Sequence, residues 1–582
     1  MSCISLPRIH FKGTFVTNVC TTNNDNDDAT PKYTDAALVT VDTQGMSDRE
    51  FRDWLLGEAG WNYFGDNSCN FNKATVTRVE LPDGAVLTTA AEDPLIGSLV
   101  HLGPQRPSNW NNKAIMVDVD PEGPYGTQIF SDEMRVQSGT NALFKGTPGR
   151  LYSRWLNFGR NLEAQGFTAG SAVWQAGIPL ATVTFGGTAS RGIDALRQAG
   201  TRGLLVRFCT YLMAPGIADS DQAASLQRGE ETINPASGVV VGTIGPWVVG
   251  DELATVPAGR RLDPSAVLSR RHVPYQLGPA VAQVDRARQV VSLDLITTFP
   301  EHNTALDKVN PGPVSLRLRP SGGGASKRIG PVPYDKATYE RTAGVVDVPY
   351  PPELELELDE GELVLQLDDG ATVLREIPYT VETDDRGVYL QQGKPATIEI
   401  RLAHKGRSPE ATLTVGVEEY LIREGNVSQV PATPAQQIVA VPHQVKVDTD
   451  GRGQLRLDPR APGLCLIRFV PPGGRPGRFG RGLDFFTNLR VLPANDFSEV
   501  PDDEVTFPFL YDNVLRYYHL IYPAMNEFVD LSDEESVRAS ADIILERIAE
   551  DRWSHWDYMP RTRELSDGKR ALFERWLRMQ LA

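Results

Sequence analysis

GLLVRFCTYLM (Gly203–Met213), GVVVGTIGPWVV (Gly238–Val249) and VVSLDLITTF (Val290–Phe299) are three nearly unbroken apolar runs, rich in β-branched residues and bounded by turn formers. Runs of that length read as strands buried on both faces, so a closed barrel or large sandwich is expected rather than an open sheet. Nearer the N-terminus, ATVTRVEL (Ala74–Leu81) alternates apolar and polar. It is followed by the turn Pro82-Asp83-Gly84 and by AVLTT, the pattern of a hairpin. With 52 glycines and 42 prolines in 582 residues, short strands and many turns are expected. Residues 1–345 are therefore read as a β-rich barrel or sandwich body, with a short helix opened by the capping box of Ser47 and Glu50.

Beyond it, LELELDEGELVLQLDDG (Leu354–Gly370) sets leucine against glutamate, which predicts a hairpin with one wet face inside a connection over residues 346–383. SGGGASK (Ser321–Lys327) lacks the spacing of a phosphate-binding loop and reads as a flexible turn. Residues 384–495 alternate in short strands with corners at Asp450-Gly451 and Pro462-Gly463, the pattern of an immunoglobulin-like sandwich. GGRPGRFGRG (Gly473–Gly482) reads as a long hairpin loop. The last segment, 505–582, turns helical: Tyr511, Leu515, Tyr518 and Tyr522 recur at helical spacing, and Ser566 caps a final helix striped by Leu572, Phe573, Trp576 and Leu577. The expected fold is thus mainly β with a small α-helical C-terminal domain.

A net charge of −17 argues against nucleic acid or an anionic membrane as partner, because phosphate contact needs clustered Lys and Arg. The five cysteines are odd in number and contain no C-x-x-C pair, so no disulfide framework is expected. The N-terminus lacks the apolar core of a signal peptide, and the apolar run Gly238–Gly250 is too short and glycine-rich to span a bilayer. A cytoplasmic protein is expected.

No nucleophile elbow, zinc pair, phosphate loop or dinucleotide fingerprint occurs in the chain. The candidate site is His10 with Asn18, Asn23 and Asp25. If residues 9–17 form a strand, this set frames the mouth of a barrel, where an imidazole could act as a general acid or base. The plainer alternative is a satisfied core or interface histidine beside a solvated turn loop. At the other end, Met559-Pro560 and the helix after it resemble the end of a c-type cytochrome module. The Cys-x-x-Cys-His that would attach haem is missing upstream, and His519 and His555 are the remaining imidazoles there.

YYHLIYPAM and YMPRTRELSDGKR, together with LPRIHFKG, VDVDPEGPYGTQIF, GTIGPWVVGDELATVPAGRRL and AGVVDVP, resemble, in order, segments of the imino-pyruvate dimer synthases of violacein-type and chromopyrrolate (rebeccamycin-type) pathways. The resemblance covers the β-rich half of those synthases and not their ferritin-like half. No histidine here has an acidic residue three positions before it, so the Glu-x-x-His ligand pairs of a ferritin-like site are missing. The resemblance implies a stand-alone homologue of that half, contributing to oxidative coupling of aromatic amino-acid-derived imines in secondary metabolism. Its cofactor content is expected to be none in this chain, with iron placed in a separate ferritin-like redox subunit. Docking of that subunit, or self-association, is expected through Tyr517, Tyr518, Tyr522, Trp553, Trp556 and Trp576 of the helical tail. The alternative is a non-catalytic scaffold or ligand-binding β protein that docks a partner through the same tail.

Overall fold

Strand β1 (Arg8–Asn18) is hydrogen-bonded along both of its edges, and that closes a barrel. The structure is a computed structural model that describes residues 4–18, 47–50, 66–104, 113–117, 126–161, 167–199, 201–215, 237–248, 253–264, 268–270, 273–275, 277–301, 307–321, 323–423, 426–474, 485–522, 525–526 and 528–581. The ring continues through β2 (Ser68–Glu80), β3 (Ala114–Val117), β4 (Gln128–Phe130), β5 (Leu151–Asn161), β6 (Phe167–Pro179), β7 (Thr201–Pro215) and β8 (Ser237–Val248). Each strand pairs antiparallel with the next in chain order, and β8 returns to β1 with Ile9 opposite Ile244. The closed barrel expected from the apolar runs is therefore an up-and-down ring, which leaves its eight strands no free edge between them.

One face of each strand fills the barrel. Phe11, Phe15, Phe71, Trp174 and Phe208 meet inside it, with Phe71 edge-on to Phe208 at 5.0 Å. Gly242 makes room for this packing, since a Cβ there would lie 2.3 Å from the Phe11 ring. Short strands between β2 and β7, starting with Leu99–Leu102, extend a side flap from β2. The helix Arg191–Gln198, capped by Ser190, lays Ile193 and Leu196 on the same core.

A second, eight-stranded sheet runs in the order Lys327–Pro331, Val314–Arg319, Glu362–Leu367, Thr372–Glu376, Arg260–Pro264, Ala280–Asp285, Val290–Asp294, Val345–Pro349. It curls until its two edge strands touch: a Cβ on Gly330 would sit 2.7 Å from Val348. The body expected over 1–345 thus contains two units. The stretch 346–383 is no mere connection, because three of its segments belong to this second sheet.

The stretch Leu354–Gly370 does not fold back on itself as the expected hairpin: its second half, Glu362–Leu367, pairs instead with Thr372–Glu376 beyond it. Its first half is helical, over Pro352–Leu354 and Glu357–Glu360. Alternating leucines also satisfy a four-residue repeat. Here Leu354 and Leu358 are buried while Leu356 is 89% exposed. Pro352 opens the first turn, and Arg260 takes the carbonyls of Leu358 and Gly361 at the end of the second.

Residues 379–492 form two facing sheets. One holds Tyr379–Glu382, Ala396–His404, Arg452–Pro459 and Val439–Ala440; the other is built on Gly387–Gln391, Phe485–Leu492, Gly463–Val470 and Leu413–Arg423. Their core contains Ile400, Leu402, Leu455, Ile467 and Leu489. Of the loop Gly473–Gly482, residues 475–482 lie outside the described residues.

The tail is helical as expected, ending in Asp567–Leu581 with Ser566 accepting from Lys569 N. Tyr518, Tyr522 and Trp576 are buried in its own core, with Tyr517 packed against them. Trp553 and Trp556 pack on Ile115, Val117 and Phe130 of the barrel, Trp553 edge-on to Phe130 at 5.8 Å. All six aromatic side chains expected to anchor a partner are thus at least half-covered by this chain. The polar linker before the tail is strapped down: Arg575 of the last helix donates to the carbonyl of Val500 and pairs with Asp502. The expected capping box is present, Glu50 accepting from both the backbone and hydroxyl of Ser47.

Candidate functional site

The outer face of the barrel carries a belt of buried polar side chains. Their registers line up across the strands: His10 on β1 opposite Thr243 on β8, then Arg207 on β7, Gln175 on β6, Tyr152 on β5 and Gln128 on β4. All six are less than 9% exposed, because the second sheet and the sandwich cover them. The alternation of β1 therefore sends Ile9 and Phe11 inward and His10 into a seam between units.

At one end of the belt, His10 Nδ1 shares a hydrogen bond of 2.9 Å with the Thr243 hydroxyl. Its Nε2 has no hydrogen-bond partner, and the Glu80 carboxylate is 3.7 Å away. Burial pushes the His10 pKa down and outweighs the pull of Glu80, so the ring is neutral. Arg8 next to it uses all five donors, on Ile4 O, Glu80, Asp347 and Ser292. Burial alone would raise the Glu80 carboxyl. The charge of Arg8 and the hydrogen bonds from Arg8 and Arg78 prevail and hold it below the ordinary carboxylate range.

Asn18 stands at the other end of β1, donating to Asp66, which also takes Lys113. Eight residues of strand separate it from His10, about 26 Å. The two cannot touch one small ligand together. Asn23 and Asp25 lie outside the described residues.

Further along the belt, the barrel, the second sheet and the sandwich enclose a cavity of about 100 Å³. Four arginines line it: Arg154 of β5, Arg207 of β7, Arg261 of the second sheet, and Arg386 from the turn before Gly387–Gln391. Two carboxylates, Asp294 and Glu382, face them. Arg207 Nε lies 2.6 Å from Asp294 Oδ2, an ion pair whose angle falls short of a straight hydrogen bond. Arg154 and Arg261 share Glu382 at 3.5 and 3.7 Å, and Arg261 also pairs with Asp263 at 2.7 Å. Arg154 is fixed further by the carbonyls of Thr255 and Thr383. Asp384 holds the loop that forms this wall by accepting from the backbone of Ala254 and Thr255.

Arg386 is different. It donates to Phe486 O and lies 3.4 Å over the Phe486 ring, its Nε has no partner, and no carboxylate is paired with it. Burial, reinforced by Arg154, pushes its pKa down to about 9. Val173, Val256, Pro257, Pro279 and Val281 give the same cavity an apolar wall.

None of these arginines was singled out from the sequence. The signal lay in the apolar runs themselves: Arg207 is the one charge in GLLVRFCTYLM and Asp294 the one charge in VVSLDLITTF, and they pair with each other. Near the tail, His555 lies between Asp132 of the barrel and Asp557, and His519 shares a hydrogen bond with the Tyr511 hydroxyl. Among the described residues no group of three or more His, Cys, Asp or Glu is placed to hold a metal ion. No helix of the described residues is long and apolar enough to cross a membrane.

No family model matches the chain. Solved structures match only weakly, for example domains 4 and 5 of the S-layer protein SbsC, at 11% identity over 40% of this chain and 96% of that one with a TM-score of 0.12, which carries no argument. Curated proteins match along the whole length. Dichlorochromopyrrolate synthase of Lentzea aerocolonigenes is 25% identical over 640 residues, covering 100% of this chain and 56% of its own length. The 2-imino-3-(indol-3-yl)propanoate dimerase of Chromobacterium violaceum is 26% identical over 649 residues, covering 99% of this chain and 58% of its own. The chain thus spans little more than half the length of these relatives, and from end to end it is similar to the imine-dimerising synthases of violacein-type and chromopyrrolate-type pathways.

Proposed function

We propose that the chain takes part in the dimerisation of indole-derived imines in secondary metabolism. The observation that carries this reading is the similarity to two such enzymes over 99% and 100% of the chain. Joining two molecules of 2-imino-3-(indol-3-yl)propanoate through a carbon–carbon bond removes two electrons and two protons. In this reading the β units bind and orient the imines, and an iron-containing, ferritin-like partner or segment beyond these 582 residues takes the electrons.

The test is to generate the imine from L-tryptophan with an amino-acid oxidase and follow the dimer by mass spectrometry. Samples contain the purified chain alone, a candidate ferritin-like partner alone, or both. Dimer above the level of either component is expected only when both are present. An unchanged yield across partners encoded beside this chain would overturn the reading.

A further inference from the structure

We infer that the cavity between barrel, second sheet and sandwich is a binding site for the carboxylate of a small organic acid, with Arg386 as the group that takes it. The site stands on its geometry and does not depend on the coupling reaction.

The argument starts from two ways of burying a guanidinium. Arg8 is 1% exposed and every donor has an acceptor, two carboxylates among them. Arg386 is 7% exposed and is given one carbonyl, one aromatic face and no carboxylate. A guanidinium keeps its charge under almost all conditions, and burying it without a counter-charge is costly. Such a cost persists only where something repays it.

The cavity wall supplies the missing half of the explanation. Its four arginines face two carboxylates in the lining itself, while Asp263 stands behind Arg261, and Asp384 and Asp385 act on Arg154 from behind the wall. The carboxylates present are engaged: Asp294 by Arg207, Glu382 by Arg154 and Arg261. Arg386 is the arginine left over. A planar guanidinium with free N–H groups matches a carboxylate in a two-pronged pair.

The remaining lining fixes the class of acid. Val173, Val256, Pro257, Pro279 and Val281 offer an apolar wall, and Thr297 and Thr380 add hydroxyls. A volume of about 100 Å³ holds several waters and is smaller than the roughly 150 Å³ that admits benzene. It suits a carboxylate and the two or three carbons next to it, whether a free short-chain acid or the head of a larger one whose body extends outward. An inorganic anion would leave the apolar wall unused.

The test uses the whole chain with pyruvate as probe, and with methyl pyruvate and sulfate as controls, by calorimetry and thermal shift. Pyruvate is expected to bind and to raise the melting temperature; its uncharged ester and sulfate are expected to do neither. Arg386→Met should weaken pyruvate binding about tenfold or more, the loss of a charge-assisted pair, while Arg386→Lys keeps the charge without the fork and falls between. Without ligand, Arg386→Met should melt no lower than the wild type, because a buried charge has been removed. If that variant does not fold, the acid against its ester on the wild type decides. Failure of pyruvate to bind, equal binding of the ester, a response to sulfate alone, or undiminished binding by Arg386→Met would each overturn the inference.

Discussion

The inner and outer faces of the barrel strands are both buried, yet they are built on opposite principles. Inside, Phe11, Phe71, Trp174 and Phe208 fill space with hydrocarbon and aromatic surface. Outside, one residue further along the same strands, His10, Thr243, Arg207 and Gln175 bury hydrogen-bonding groups against two neighbouring units. An apolar face needs only a good volume fit. A polar face must match donors to acceptors across a seam, and where the match is incomplete, as at Arg386 and His10 Nε2, the structure holds unspent binding capacity.

Substitution on the inner face should have the largest effect. Phe208→Ala removes a ring that is 0% exposed and touches both Phe71 and Trp174, and should destabilise the barrel by about 3–5 kcal/mol, read as an earlier transition in guanidinium denaturation. On the outer face, Arg8→Met should cost about 2–3 kcal/mol, reduced from the fully buried case because Glu80 and Asp347 are 13% and 20% exposed. The contrast sharpens in combination. Adding Glu80→Gln and Asp347→Asn to Arg8→Met should recover most of that loss, since no charge is then stranded; a combined variant no more stable than the single one would refute the ion-pair account.

Acid should act on the outer face alone. The His10 ring is neutral when folded, because burial holds its pKa below the ordinary 6.5, so the unfolded chain gains a proton first and stability declines as pH falls below that value. Glu80 and Asp347 have folded pKa values below their ordinary 4.5 and 3.8, the pull of Arg8 and their other partners overcoming the upward push of burial. Their contribution is complete above those values and disappears as pH falls through the lower, folded ones. Melting temperature against pH should therefore show a decline beginning near 6.5 that steepens below about 4.5. His10→Gln should reduce only the upper part, to which His101 and His555, also held below 6.5 chiefly by burial, contribute as well. A wild-type profile that stays flat between about pH 7 and 5 would mean that His10 is not held neutral.

The smallest effect is expected far from either face. Arg575→Ala frees the linker at Val500 and Asp502, so limited proteolysis over residues 494–502 should accelerate while the melting temperature changes little. Equal cleavage rates in both proteins would show that the strap does not guard this stretch.

The inner face could be read from the sequence because volume and hydrophobicity are properties of a single strand. GLLVRFCTYLM and GVVVGTIGPWVV announced strands buried on both sides, and the ring bears this out. The seam was harder to read. Arg207 acquires meaning only beside Asp294, a pair that joins separate units, and Arg386 only beside Phe486, 100 positions further along the chain in the same sandwich. His10 was singled out by its residue type, but the partners chosen for it were its neighbours in sequence, whereas those the fold supplies are Thr243 and Glu80. The leucines of Leu354–Leu358 misled for a related reason, since a repeat of two contains a repeat of four and only the proline-rich approach favours a helical turn.

The double pairing of β1 also governs the order in which the molecule can be made. A ribosome releases Arg8–Asn18 before the other strands of the ring, but one edge of that strand finds its partner only when Ser237–Val248 has followed. Until then the growing sheet exposes open strand edges, templates for pairing with other chains. Closing the ring brings together residues as distant in sequence as Ile9 and Ile244, the kind of long-range contact that slows folding. The earliest strand of the ring is therefore among the last to be finished, and during that interval its open edge is most exposed to mispairing.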